Sequence, residues 1–363
     1  MKYEKSKINE LSNYTYQYLP VFVSCTKISI QMKLISIHNN IGIPKYKQIV
    51  SSIEQVIADK KIKKGDSLPS VNKVCMEFLL SRDTVLQAYE ELKKRGIIYA
   101  IPGKGYYIKS IETTIKQRIF LLFDELNIFK EDLYNSFLES IGADVQVDIF
   151  FHHFNPTVFQ KLINDSNGNY TKYIIMPTSL ANAAACIKTL PVNDVFILDQ
   201  TNTELSDYPA VYQNFVKDIY NGLLKGQSQL SSYHKLIMIF PGFREPLGMK
   251  TGFEKFCSDF GLTHEIITKM QNRSIQKGEV YIIPSDRDLV EVIEQAKTQQ
   301  LQLGIDYGII SYNETPLKKV VENGITTIST DFKLMGSLLA DMILKGKKGQ
   351  IENKSALILR NSL

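Results

Sequence analysis

The 363-residue chain has no tryptophan, only five histidines and only four cysteines. The cysteines, Cys25, Cys75, Cys186 and Cys257, are scattered and form no C-x-x-C pair. That argues against a disulfide framework and against a cysteine zinc site. The adjacent His152 and His153 are expected on a strand, pointing to opposite faces, with no carboxylate at ligand spacing. No metal and no cofactor are therefore expected. No run of eighteen apolar residues occurs, so neither a spanning helix nor a membrane partner is expected. The start of the chain lacks a signal-peptide layout, and a cytoplasmic location is expected. The sequence also has no G-x-S-x-G, no phosphate-binding P-loop and no H-E-x-x-H. Nothing in it singles out a catalytic residue, and the expectation is a non-enzyme.

What the chain does have is an uneven charge distribution. Its net charge is +5. Residues 41–110 hold thirteen Lys and Arg against seven Asp and Glu, and residues 1–40 add a balance of +3, so the remainder is mildly acidic. A basic front on an acidic body suits a phosphate-binding head, although a lysine-rich solvated face would give the same tally. A chain of this length exceeds one compact core and implies more than one domain.

Within the basic front, apolar residues recur at helical spacing three times, over 44–60, 70–79 and 82–95. The segment "KKGDSLPS" separates the first two helices, and only "LLS" separates the last two, which is a helix-turn-helix spacing. Ser81 is a natural N-cap, Asp83 lies in the first turn of the third helix, and Lys93, Lys94 and Arg95 fill its last turn. "IIYAIPGKGYYI" then reads as two β-prone runs around a glycine turn, a hairpin. Three helices and a hairpin make a winged helix-turn-helix. The N-terminal turn of the second motif helix is the part that enters a major groove. That turn places Arg82 for a guanine edge or a phosphate, and Ser81 and Thr84 for phosphates or base edges. Lys104 sits at the hairpin tip between Gly103 and Gly105.

These motifs, "KKGDSLPS", "LSRDTVLQAYEELKKRGII" and "PGKGYYI", resemble the DNA-binding domain of the GntR family of bacterial regulators. The resemblance covers about residues 44–108. It implies DNA contacts from Ser81, Arg82, Thr84, Gly103 and Lys104, with Ser70, Asn72 and Lys73 at the start of the preceding helix. One departure stands out. Many family members carry Arg where this chain has Asn72; Asn72 can still bond a phosphate or an adenine edge, and Lys73 can replace the lost charge.

From residue 118 the pattern changes to continuous apolar runs separated by helices: "RIFLLF", "VQVDIFF", "YIIMP", "VFILD", "KLIMIF", "EVYIIP" and "DYGIISY". That alternation predicts α/β architecture with parallel sheets covered on both faces, and its length predicts two lobes of doubly wound sheet. Ligands on such sheets bind beyond the carboxyl ends of the strands. The polar residues there are Asp124, Glu125, Asp199, Gln213, Arg244, Ser285, Asp286 and Asn313. They are rich in groups that pair with hydroxyls, as a sugar requires. Ser285 and Asp286 precede a helix and are also natural caps.

The stretch "GIDYGIISYNETPLKKVVENGITTISTDFKLMGSLLADMILKG", with "IPSDRDLVEVIEQAK" and "VFILDQ", resembles the effector domain of LacI-type repressors and the related periplasmic sugar-binding proteins. The resemblance covers about 118–360. It implies sugar contacts from Asp199, Ser285 and Asn313. Arg244 corresponds more loosely, because the family's Arg lies nearer the Gly-Phe pair, here Gly252-Phe253. The expected organisation is an N-terminal extension over 1–40, a winged helix-turn-helix over 41–108, a linker over 109–117 and an effector domain over 118–363. The expected function is a dimeric, DNA-binding repressor controlled by a small effector, expected to be a sugar. Two alternatives use the same features: an aminotransferase-like enzyme fused to a DNA-binding head, for which no lysine in a pyridoxal-phosphate setting is evident, and a sugar-binding module without a regulatory role.

Overall fold

A computed structural model describes residues 34–38, 43–113, 117–242, 244–270 and 273–363. Most of the N-terminal extension and three residues of the expected linker lie outside these. The chain divides into two compact units, Met1–Thr113 and Thr114–Leu363.

In the first unit, α1 spans Lys45–Ala58, α2 Val71–Phe78 and α3 Arg82–Lys94. The antiparallel strands β1 (Ile98–Ile101) and β2 (Gly105–Ile108) follow. Ile49, Ile53, Val74, Val85, Tyr89 and Leu92 are fully or almost fully buried in one core, which the periodicity had placed on the inner helix faces. Leu34 and Ile35 are also buried in it. The phenol of Tyr89 donates to the Pro69 carbonyl at 2.7 Å, tying the α1–α2 connection to α3 from inside. That connection does more than turn. Leu68 donates to the Tyr106 carbonyl and Gly65 to that of Ile108, both at 2.8 Å, so it runs along the free edge of the hairpin.

The second unit contains two six-stranded sheets. The first lobe takes β3 (Gln117–Phe123), β4 (Val145–Phe151), β5 (Lys172–Ile175), β6 (Val195–Asp199) and β7 (Ala210–Tyr212), with helices α4 (Ile128–Ile141), α5 (Pro156–Ser166) and α6 (Ala183–Ile187). The chain then enters the second lobe through α7 (Phe215–Lys225) and α8 (Gln227–Leu230). It continues as β8 (Lys235–Ile239), α9 (Leu247–Asp259), β9 (His264–Ile267), β10 (Glu279–Ile283), α10 (Asp286–Thr298), β11 (Gly308–Tyr312) and β12 (Thr326–Thr330). Next, α11 (Phe332–Leu344) and β13 (Gln350–Glu352) return to the first lobe, and β14 (Ser355–Ile358) ends in the second. The strand orders are β13-β7-β6-β5-β3-β4 and β14-β12-β11-β10-β8-β9. All pairings are parallel except β12 with β14.

The chain therefore crosses between lobes three times, near residues 213, 331 and 353. Buried Asn353 fastens all three crossings. Its backbone N–H donates to the Tyr212 carbonyl at 2.7 Å, and its carboxamide donates to that of Asp331 at 2.8 Å. The returning helix α11 packs closely on α4. A Cβ added at Gly336 would lie 2.3 Å from the Leu133 carbonyl oxygen. Gly336→Ala should thus force two backbones apart and cost about 1–3 kcal/mol, read as a lower midpoint in chemical denaturation with an unchanged slope.

Candidate functional sites

In the head, α2 and α3 are each started by a serine. Ser70 accepts from the Lys73 N–H at 3.3 Å and Ser81 from the Thr84 N–H at 3.2 Å. The Ser81 and Thr84 hydroxyls are 2.8 Å apart. Arg82 is exposed at the first position of α3, and its guanidinium donates to the Asn72 carboxamide oxygen at 2.7 Å. Asn72 thus holds the Arg82 side chain, a contact that the sequence reading of Asn72 did not include. At the hairpin tip Gly103 and Gly105 have φ of +74° and +107° with open space where a Cβ would sit, so backbone conformation and not room demands glycine there. Lys104 is exposed between them. The structure brings Ser70, Asn72, Lys73, Ser81, Arg82 and Thr84 to neighbouring helix starts, with Gly103 and Lys104 on the hairpin tip.

In the second unit, a cleft of about 140 Å³ opens at the carboxyl ends of both sheets. Six of the eight residues expected there line it: Asp124, Glu125, Asp199, Gln213, Arg244 and Asn313. The remaining two do not. Ser285 caps α10, accepting from the Asp288 N–H at 3.5 Å. Asp286 forms an ion pair with Lys318 at 2.8 Å. Lys318 is buried and also donates to the carbonyls of Tyr312 at 2.7 Å and Asn313 at 2.9 Å. The pair therefore fixes the turn that presents Asn313.

Asp199 and Asn313 end corresponding strands of the two lobes, both with left-handed backbones at φ +72° and +58°. Asp and Asn are the residues that bear this conformation best after glycine. Buried Gln213 links the lobes. Its amide N–H donates to Asp199, while its oxygen accepts from Thr330 Oγ1 at 2.7 Å and from the Tyr312 phenol at 3.2 Å. Burial pushes the Asp199 carboxyl up, nearby Asp124 adds to this, and Lys130 opposes it. Lys130 is itself buried against Asp124. At the mouth, Arg244 donates to Glu125 at 2.9 Å and lies 5.1 Å from the centre of the Phe154 ring.

Strand-end reasoning missed Lys130, Tyr312, Glu245 and the rings of Phe129, Phe154 and Phe215, all of which line the cleft. Tyr312 is the last residue inside β11, and Lys130 lies in the first turn of α4. Both belong to elements rather than loops, so a search of loops overlooks them. The histidine pair also sits differently from expectation. Strand β4 ends at Phe151, and His152 and His153 lie in the turn that follows, His153 at φ +48°. His152 is buried with Nε2 3.1 Å from the Met176 carbonyl, and its Nδ1 accepts from the Phe154 N–H at 3.2 Å. A donor at each nitrogen would oppose that Phe154 N–H, and burial pushes the ring pKa down.

Beside Gln213, Asp218 on α7 is buried, accepts from Ser355 Oγ at 2.5 Å, and leaves Oδ2 without a partner. Burial pushes its carboxyl up to about 6. A carboxyl raised in this way contributes stability that is fully present below its unfolded value near ~3.9 and is lost as pH rises through about 6. His152 acts in the opposite sense, contributing stability above ~6.5 that is lost on acidification. Asp218→Asn should therefore gain on the parent protein by about 2 kcal/mol between pH 4 and 7, measured by denaturation at each pH. A constant difference across that range would remove Asp218 from the titration.

The description "Bacterial regulatory proteins, gntR family" matches residues 45–108. The chain is 40% identical to the mannosyl-D-glycerate transport/metabolism system repressor MngR of Escherichia coli, over 23% of this chain and 34% of that protein. Other curated regulators match over shorter stretches, the chain spanning as little as 13% of their length. With the arabinose metabolism transcriptional repressor of Geobacillus stearothermophilus, identity is 22% over 88% of this chain and 98% of the relative. The trehalose repressor of Escherichia coli has the same fold over 67% of this chain and 99% of its own, with a TM-score of 0.56 at 13% identity. No helix among the described residues is long and apolar enough to cross a membrane.

Proposed function

We propose that the chain is a transcriptional repressor released from its operator by a small, sugar-like effector, and that residues 45–108, which match the gntR family of bacterial regulatory proteins, are its DNA-binding head. The observation that carries this reading is the joining, in one chain, of an exposed Arg82 at the mouth of α3 with a polar cleft between two lobes of LacI-type fold. The relatives named for arabinose and mannosyl-D-glycerate metabolism favour a sugar.

In this reading, the first turn of α3 enters the major groove. Arg82 meets a guanine edge, where its two-pronged guanidinium matches O6 and N7. Asn72 pre-orients that guanidinium, so less side-chain freedom is lost on binding. Ser70, Lys73, Ser81 and Thr84 meet phosphates, and Lys104 on the wing approaches the backbone. The head runs over 41–108, the linker over 109–117 and the effector domain over 118–363. Two protomers present two heads to a near-palindromic site, in the cytoplasm where the DNA lies. Asp199, Gln213 and Asn313 hold the effector, and its binding favours one arrangement of the lobes because affinity differs between the arrangements.

Selection of bound duplexes from a random-sequence pool tests the DNA half of this reading. Enrichment of a sequence with two related half-sites, bound by two protomers, is the expected result. Binding should weaken linearly in log salt as phosphate contacts release counterions. A pool that stays random after repeated rounds would overturn the proposal.

A further inference from the structure

The side chains lining the cleft include four carboxylates, Asp124, Glu125, Asp199 and Glu245, and two cations, Lys130 and Arg244. Each cation already faces a carboxylate that balances its charge. Lys130 is buried against Asp124, and Arg244 donates to Glu125 at 2.9 Å. Among the described residues, no ion pair joins Glu245 or Asp199 to a side-chain cation. Glu245 accepts from the backbone N–H groups of Gly242 at 3.1 Å and Arg244 at 3.3 Å, and Asp199 accepts from the neutral amide of Gln213.

The helix starts give an anion no better reception. Asn127 accepts the N–H of Lys130 at the start of α4, and Asn214 accepts that of Lys217 at the start of α7. Helix α9 starts without a side-chain cap, but Glu245 stands directly before it, followed by Pro246, which has no N–H. A free helix N-terminus attracts anions, and a carboxylate placed there already takes up that attraction. Ionised carboxylates are acceptors only. The buried carboxamide oxygen of Asn313 also has no partner. A ligand filling this cleft must bring hydrogen-bond donors and an apolar face for Phe129, Phe154 and Phe215.

We propose that this balance restricts the effector to hydroxyl-rich molecules without an anionic group: free sugars, and not their phosphate esters or sugar acids. The inference rests on the effector-cleft reading above and sharpens it. A phosphate close to Glu245 meets like charge in a partly desolvated cleft, whereas hydroxyls find acceptors there and at Asp199 and Asn313.

Thermal shift and calorimetry on the full-length protein test this with arabinose, ribose, glucose, fructose and trehalose, each beside its monophosphate ester. The expected result is that one free sugar raises the melting temperature and its ester binds at least about tenfold more weakly. Glu245→Gln should narrow that ratio by about tenfold. An ester that binds as well as or better than its parent sugar would overturn this inference and leave the effector reading standing. An intact preference with an unchanged ratio in Glu245→Gln would also overturn it, because charge would not be its cause. Silence from every compound would overturn the effector reading itself.

Discussion

A protein carrying Asp199→Ala should bind operator DNA as tightly as the parent and no longer release it when effector is added. Asp199 is buried at the end of β6, in the cleft and on the amide of Gln213. Removing its carboxylate deletes an acceptor for a ligand hydroxyl. It also strands the Gln213 N–H, a cost of about 1–3 kcal/mol for a buried donor. Gln213 is the side chain through which Asp199 reaches Tyr312 and Thr330 in the other lobe. Both losses act on the effector and on the lobes, and the residues proposed to contact DNA are unchanged. Operator affinity measured with and without effector separates them. Normal release by the variant would show that the cleft assignment is wrong.

Arg82→Ala should lower operator affinity by about 1–3 kcal/mol, roughly fivefold to 150-fold, and relax preference at one position of each half-site. Affinity for unrelated duplexes should fall less, because phosphate contacts carry most non-specific binding. Asn72→Ala should show a weaker form of the same defect, since it frees the guanidinium without deleting it. An Arg82→Ala protein with unaltered affinity and unaltered preference would take Arg82 out of the recognition set.

How far these features were legible in the sequence depends on range. The head was readable because its signals are local. Ser81 caps α3, the glycines around Lys104 supply a turn only glycine makes easily, and the apolar stripes match the buried faces of all three helices. The two lobes were readable from their continuous apolar strands. The path of the chain between them was not. The buried face of α11, with Phe332, Met335 and Leu339, would suit either sheet, and only its packing on α4 places it in the first lobe. The role of Asn353 was hidden for the same reason. It is one polar residue between two short strands, and its partners lie more than twenty residues away along the chain. The cleft stood between these extremes. The strand-end rule found the acceptors Asp124, Asp199 and Asn313, yet it also took in Ser285 and Asp286, which serve a helix cap and Lys318. Polar residues before a helix satisfy both rules at once, and only coordinates separate them.

The most direct test of the whole account is a titration of the selected operator by fluorescence anisotropy, with and without a saturating amount of the sugar that stabilises the protein. The account predicts tight, sequence-dependent binding that weakens at least about tenfold when the sugar is present, a coupling of about 1.4 kcal/mol or more. Operator binding that is indifferent to a sugar known to occupy the cleft would contradict it.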